Sequence, residues 1–305
     1  MLGKKHLFLF DIDGVFITGT LEWETRVLGG YRVLAKLRQM GKSIALLGSG
    51  SNWSTWEIWS SLRHLGFLLD FDEVWIASRV ASRHLAEVKG PSKCYVIGEE
   101  GLRRELRGHG HKVVRNWREA EAVVVGHDRF ISFRKMTDAL RALNNDAYFI
   151  AVNKVRWYYS PTQGPILSPG AIVAALEYQT GREAVVAGKP SLIHFTTVLS
   201  HFGVDPEQAV MIGDTVESDL LPAKSLGMTT VLVNQLDRRD RVRQRTDVVD
   251  LTIGDVDELV RYLSPPLKKL LDGVLTLSYH RRQNAAFQRK PQPEDVVQDV
   301  EREDE

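Results

Sequence analysis

Cysteine is nearly absent: Cys94 is the single one among 305 residues. No intrachain disulfide and no multi-cysteine metal site can form, and a reducing compartment, the cytoplasm, is the expected location. Long apolar runs are missing as well. Lys4 and Lys5 followed by Leu7, Phe8, Leu9 and Phe10 imitate the start of a secretory signal, but Asp11 and Asp13 end the run far short of the ~7 to 15 apolar residues of a signal core. No stretch approaches the ~20 apolar residues of a transmembrane helix, so neither export nor membrane insertion is expected. An excess of one charge is also lacking, because 40 Lys and Arg face 39 Asp and Glu for a formal net charge of +1. Such a chain has no global field for nucleic acid or anionic lipid, and neither is an expected partner. Any function that uses charge must be local. Repeats and low-complexity segments do not occur before about residue 265, which excludes solenoids and arrays.

What is present is an alternation of short apolar runs with amphipathic stretches. Leu7–Phe10, Ile44–Leu47 and Val74–Ala77 read as buried strands, and between them Tyr31–Met40 and Trp53–Leu65 carry helical spacing closed by Gly41 and Gly66. Strand, helix, strand, helix, strand at this spacing predicts an α/β fold with a parallel sheet. The same style continues with strands at Cys94–Ile97, Val113–Val114, Val123–Val125 and Tyr148–Val152, and helices at Gly101–Arg107, Lys135–Leu143 and Gly170–Gln179. A third section resumes with Ala184–Ala187, the helix Ser191–Phe202, Ala209–Ile212, the helix Ser218–Leu226 and Thr230–Val233. The end differs. Leu267–Tyr279 has helical spacing, Arg281–Lys290 is basic, and Glu294–Glu305 holds seven acids and one Arg. A segment with so few apolar residues cannot offset its ordering entropy, so a flexible tail is expected.

Four segments, each ending an apolar run, collect acids, a lysine and small residues. Asp11-Ile12-Asp13-Gly14 follows Leu7–Phe10, and residues just past the carboxyl end of a parallel strand face the crevice where ligands bind. Two carboxylates at i, i+2 there can share a cation, one acting as nucleophile and the other as acid or base. Alone, the pair reads equally well as a turn or a helix cap. Met211-Ile212-Gly213-Asp214 ends another run, with Asp219 five residues on. Hard oxygen ligands from separate strand ends are what a magnesium site uses beside a substrate phosphate, although an acid such as Asp219 is also common at a helix start. Gly188-Lys189-Pro190 lies between these segments, where a fixed ammonium can offset negative charge in a transition state.

Together, Asp11-x-Asp13-Gly14, the serine-rich loop at a strand end, Lys189, and Gly213-Asp214 with Asp219 resemble the haloacid dehalogenase superfamily of phosphatases. The phrases Val124-Val125-Gly126-His127-Asp128-Arg129, Ala171–Glu177 and Ala187-Gly188-Lys189-Pro190-Ser191 resemble its large-cap branch, subfamily IIA, which includes p-nitrophenyl, phosphoglycolate, pyridoxal-phosphate and sugar-phosphate phosphatases. The resemblance covers about residues 5 to 264. It implies a Rossmann-like parallel-sheet core with an inserted α/β cap. Asp11 would attack phosphorus to form an aspartyl phosphate, and Asp13 would protonate the leaving oxygen and then deprotonate water. The Asp11 carboxylate, the Asp13 carbonyl, Asp214 and, directly or through a second layer, Asp219 would hold Mg2+. Lys189 would offset charge, as a phosphate dianion otherwise repels a carboxylate nucleophile.

The stretch from Asp13 to Gly48 has room for one helix, whereas that from Gly48 to Lys189 accommodates a third core strand and a separate domain. The expected division is therefore a discontinuous core, 1–80 and 185–264, a cap, 81–184, and a C-terminal extension, 265–305. Substrate contacts are expected from Asn153 and the loop Asn153–Pro161, and from Gly48, Ser49 and Gly50. One departure stands out here. The family's Ser or Thr after the second strand falls on Gly48, so Ser49 or backbone N–H groups would have to serve the phosphoryl oxygen, and losing one such donor costs ~10² to 10³ in rate. In the cap, Asn153 keeps the family position, but Lys154-Val155 replaces the usual Pro-Asp.

Weaker signals are set aside. Gly48-Ser49-Gly50 lacks the third glycine of a dinucleotide fingerprint, and Gly188-Lys189 lacks the Ser or Thr of a P-loop. His109 and His111 read as a surface turn. Trp53, Trp56 and Trp59 read as packing, with a homodimer contact as the open alternative. Two functions remain: a magnesium-dependent phosphatase acting on a small phosphorylated metabolite, or a weakened relative that binds a phosphorylated ligand or a protein.

Overall fold

The computed structural model describes residues 2–18, 25–160, 164–234 and 246–263. The expected helix Leu267–Tyr279, the charged tail, and Pro161 at the end of the expected substrate loop lie outside the described residues.

Along the chain come β1 (Leu7–Asp11), the two-strand pair β2 (Ile17–Thr18) and β3 (Arg26–Val27), α1 (Tyr31–Gln39), β4 (Ser43–Gly48), α2 (Thr55–His64), β5 (Val74–Ile76) and α3 (Ala77–Lys89). Next are β6 (Lys93–Ile97), α4 (Glu100–Gly108), β7 (Lys112–Val114), β8 (Ala122–Val125), α5 (Phe133–Asn144), β9 (Tyr148–Ala151), the hairpin β10 (Trp157–Ser160) and β11 (Gly164–Leu167), and α6 (Pro169–Thr180). The chain continues through β12 (Val185–Val186), α7 (Leu192–Phe202), β13 (Ala209–Gly213), α8 (Leu221–Ser225), β14 (Thr229–Val233), β15 (Leu251–Ile253) and α9 (Val260–Leu263).

The first sheet is wholly parallel, in the order β15-β14-β13-β1-β4-β5. Its centre is β1, whose Leu7, Phe8, Leu9 and Phe10 are fully buried. Both faces are covered, which is why this strand is a continuous apolar run rather than an alternation; each such side chain contributes roughly 1.5–3 kcal/mol of burial energy. The register sets Phe10 beside Ile212 and Asp11 beside Leu47, so Asp11, Gly213 and Gly48 all arrive at one edge of the sheet.

The second sheet is also parallel, in the order β12-β9-β8-β6-β7. Here alternate residues serve opposite faces. Tyr95, Ile97, Val123, Val125, Phe149 and Ala151 pack with Ala139, Leu143, Val173 and Leu176 of α5 and α6. Cys94, Val96, Ala122, Val124 and Ile150 join α3 and α4 in a cluster that runs on into the first sheet. The α/β fold with a parallel-sheet core and a second α/β layer is as the sequence predicts.

Several elements differ from expectation. α3 was not foreseen, although Ala77, Val80, Ala81, Leu85 and Val88 stand at helical spacing; its burial goes beyond that stripe, with Ser78, Arg79 and Ser82 among the seven buried residues of thirteen. It packs on α4 and on α7, so the expected boundary after residue 80 falls inside a helix shared by both sheets. Val185–Val186 pairs with β9, so this strand, expected to open the return to the first sheet, lies in the second. α2 begins at Thr55 rather than Trp53. Ser54 caps it: the Glu57 N–H donates to the Ser54 hydroxyl, and the Ser54 N–H donates to the Glu57 carboxylate at 2.8 Å. Trp56 is 59% exposed, while Trp59 donates to the Leu69 carbonyl, so the tryptophans do not share one environment. His111 is no surface residue. It is buried, accepts from Ser92 N through Nδ1 and reaches the Ser82 carbonyl through Nε2 at 2.9 Å.

Candidate active site

Three strand ends and one loop bring the site together. Asp11 closes β1; its Oδ1 accepts from Ile12 N at 2.8 Å and from Lys189 Nζ at 2.6 Å. Lys189, in the connection from β12 to α7, also donates to Asp219 Oδ1 at 2.8 Å. Asp214 follows β13. Asp219 sits in a π-helical turn, Val216–Leu220, a distortion that recurs at functional sites. Asp11, Asp214 and Asp219 each offer a carboxylate oxygen within 4.8 Å of the others.

Two glycines permit this approach. Gly14 has φ 84°, and a Cβ there would collide with the Asp214 carboxylate. At Gly213 a Cβ would lie 2.6 Å from Asp219 Oδ2. The small residues are thus room for the acids.

The electrostatics follow from burial. Lys189 and Asp219 are almost completely buried, and Asp11 nearly so. Burial drives the Asp11 carboxyl well above its usual range, opposed by Lys189 and reinforced by Asp219 and Asp214. Lys189 is held protonated: the carboxylates of Asp11 and Asp219 outweigh the cost of burying its charge. Three carboxylates converge beside one ammonium in a small volume. Hard oxygens gathered in this way fit a divalent cation of the magnesium kind.

The remaining expected residues divide. Asp13 lies two positions on in a turn in which Gly14 N donates to Ile17 O at 2.7 Å, and it is exposed where Asp11 is buried. The two carboxyls therefore sit in different environments. Gly48 ends β4 tightly packed, since a Cβ there would lie 3.1 Å from Ile76 Cγ2 and 3.3 Å from Ile12 Cδ1. A serine would need both isoleucines to yield. The next carbonyl, of Ser49, accepts from Asn153 Nδ2 at 2.8 Å, and Asn153 Oδ1 accepts from Val155 N. Asn153 is buried, and it ties the end of β9 to the loop after β4. Gly50 is exposed. Residues 157–160 of the expected substrate loop are a strand rather than a loop, with Trp157 exposed and the Tyr158 ring 5.7 Å from that of His127.

Three residues escaped the sequence reading. Ser51 is buried, and its hydroxyl accepts from His127 N at 2.8 Å, a second tie between the β4 loop and the other sheet. Thr215 donates to Asp214 Oδ1 at 2.9 Å. His194 is fully buried, with Nε2 3.0 Å from the Trp75 carbonyl and Nδ1 without a partner. Burial, aided by Lys189, pushes its pKa down to about 3, so it adds no second cation behind Lys189. Ser51 belongs to the serine-rich loop that the sequence singles out, though its partner is not legible there; Thr215 and His194 stand at no spacing that a single sequence would flag.

Sequence comparison agrees with this geometry. A family model described as haloacid dehalogenase-like hydrolase matches residues 8–112, and a second, HAD-hydrolase-like, matches 186–259. Chronophin of Rattus norvegicus is 31% identical over 292 residues, covering 91% of each chain. The chain belongs to the haloacid dehalogenase-like hydrolases. It is an enzyme of that family's phosphatase group: glycerol-3-phosphate phosphatase of Gallus gallus is 30% identical over 76% of this chain and 80% of its own. Among solved structures, a p-nitrophenyl phosphatase from Archaeoglobus fulgidus superposes with a TM-score of 0.76 at 33% identity, covering 85% of this chain and all of that one. Among the described residues, no helix is long and apolar enough to cross a membrane.

Proposed function

We propose that the chain is a magnesium-dependent phosphatase that hydrolyses a small phosphorylated metabolite through an aspartyl phosphate on Asp11. The observation that carries this reading is the buried Lys189 ammonium shared between Asp11 and Asp219, with Asp214 completing the acidic cluster.

In this reading the Asp11 Oδ1 atom is held by Ile12 N and Lys189, which leaves Oδ2 to attack phosphorus. The bond from phosphorus to the leaving oxygen breaks, and Asp13 supplies the proton that the departing alcohol needs. Asp13 then takes a proton from water as that water attacks the phosphorus of the acyl phosphate, releasing inorganic phosphate and the Asp11 carboxylate. Asp11, the Asp13 carbonyl and Asp214 would hold Mg2+. Asp219, with Oδ1 committed to Lys189 and Oδ2 facing Thr215 N at 3.3 Å, supports the set from behind. When bound, the ion supplies positive charge that lets a carboxylate approach a phosphate dianion. Lys189 offsets the charge that builds on the phosphoryl oxygens.

The sheet β12-β9-β8-β6-β7 with its helices serves as the cap, an inserted segment that starts near residue 81 and closes with β12 at Val186 rather than at 184. Asn153 and Ser51 support this role by linking it to the loop Gly48-Ser49-Gly50, where phosphoryl oxygens would be received. The name of glycerol-3-phosphate phosphatase supports a small phosphomonoester as substrate.

A second reading, a weakened relative that binds a phosphorylated ligand, rests on Gly48. Phosphate release from p-nitrophenyl phosphate and a panel of phosphorylated metabolites, with magnesium or EDTA, separates the two. Release that needs magnesium and disappears in Asp11→Asn supports the phosphatase. Absence of release from every substrate supports the binding protein.

A further inference from the structure

The second sheet carries a groove that shares no residue with the acidic cluster. Its volume is about 630 Å³, within the range of small-ligand sites, ~300–1,000 Å³. One wall is the face of α5 that presents Phe133, Arg134 and Arg141; the other is the segment after β7 with Arg115, Trp117 and Arg118.

Four guanidinium groups thus line one cavity in a chain whose formal net charge is +1. Two of them share the indole of Trp117, Arg118 at 4.5 Å from the ring centroid and Arg141 at 5.9 Å. Asp138 is the only acid in the lining, and its contacts are long, 3.8 Å to Arg134 and 3.4 Å to Arg141. Among the described residues, no carboxylate pairs with Arg115 or Arg118. Like charges gathered this way repel, and a polyanion seated between them relieves the repulsion. Guanidinium forks match phosphate oxygens in pairs. Phe133 has a further meaning. It is 90% exposed at the rim, an apolar ring that an inorganic anion would leave wet and a planar base would cover.

We propose that this groove binds a nucleoside polyphosphate, its phosphates on Arg115, Arg118 and Arg141 and its base against Phe133. A cavity of this size suits one nucleotide better than an acidic peptide or a nucleic-acid strand, which would need a longer track.

The test is fluorescence anisotropy of an N-methylanthraniloyl-labelled ADP titrated with the full-length protein in EDTA. Saturable one-to-one binding is expected. Arg118→Gln with Arg141→Gln should weaken it about tenfold or more, and Phe133→Ala should weaken it while the far-ultraviolet circular dichroism stays as in wild type. Arg118→Lys, which keeps the charge but loses the fork, should fall between. Asp11→Asn should bind as wild type does. Full affinity in the double arginine variant, or loss of binding in Asp11→Asn alone, would overturn the proposal by moving the ligand to the acidic site. Displacement of the probe by tripolyphosphate as readily as by ADP would overturn it too, as would preferential displacement by a short single-stranded oligonucleotide.

Discussion

Lys189 Nζ lies 2.6 Å from Asp11 Oδ1, although the two residues are 178 positions apart in the chain. The ammonium is buried with no route to solvation other than its carboxylate partners, so the contact is at once a structural constraint and an electrostatic one. Replacing the lysine tests both. Lys189→Met should leave Asp11 and Asp219 as buried carboxylates without a counter-charge. We expect a stability loss of about 3–5 kcal/mol by urea unfolding and a fall in kcat of about 10² to 10³. Unchanged stability would show that the acids do not need the ammonium to fold.

Asp11→Asn keeps the shape of the side chain and removes the nucleophile. Phosphate release should fall to background, with the urea midpoint as high as in wild type or higher, because burial penalises the carboxylate. Residual turnover above a few per cent would exclude Asp11 as the attacking group.

Gly14→Ala puts a Cβ into the Asp214 carboxylate and onto a backbone with φ 84°. Asp214 must move. The magnesium concentration for half-maximal activity should rise at least severalfold, while Gly41→Ala, also at positive φ but with open space around it, should cost stability and leave magnesium dependence alone. Equal metal dependence in the two variants would contradict the role given to Asp214.

Asn153→Ala removes the amide that holds the Ser49 carbonyl. The β4 loop should lose order, lowering kcat/KM for p-nitrophenyl phosphate about tenfold at a stability cost near 1 kcal/mol. Ser51→Ala, which loses the hydroxyl that accepts from His127 N, should act in the same direction. A loss of stability without loss of rate would make both ties purely structural.

His194 makes acid stability measurable. Its pKa is about 3 in the folded state, below the ordinary value near 6.5 in the unfolded chain. Between those values the unfolded state binds the extra proton, so stability falls as pH drops below about 6.5. His194→Gln should show a smaller loss between pH 7 and pH 5 in urea midpoints than wild type does. An identical loss in both would remove His194 from the acid response.

The parallel sheet of apolar runs ending in Asp11 and in Gly213-Asp214 is legible in the sequence, because buried parallel strands must be continuously apolar and their carboxyl ends must carry whatever meets the ligand. Lys189 is legible for the same reason, by its place between a strand and a helix. What folding alone decided is which charges meet. The pairing of Lys189 with both Asp11 and Asp219, the ties from Asn153 to Ser49 and from His127 to Ser51, and the burial of His111 and His194 all join residues tens to hundreds of positions apart. Single-residue spacing carries no record of such contacts. α3 does carry helical spacing in Ala77, Val80, Ala81, Leu85 and Val88, but only the folded chain shows that Ser78, Arg79 and Ser82 are buried with it. The four arginines of the groove are scattered through ordinary surface segments, and only the packing of α5 beside the segment after β7 concentrates them. Local pattern records what each residue needs from its own strand or helix, whereas charge compensation depends on which strand ends the closed sheet brings to one edge.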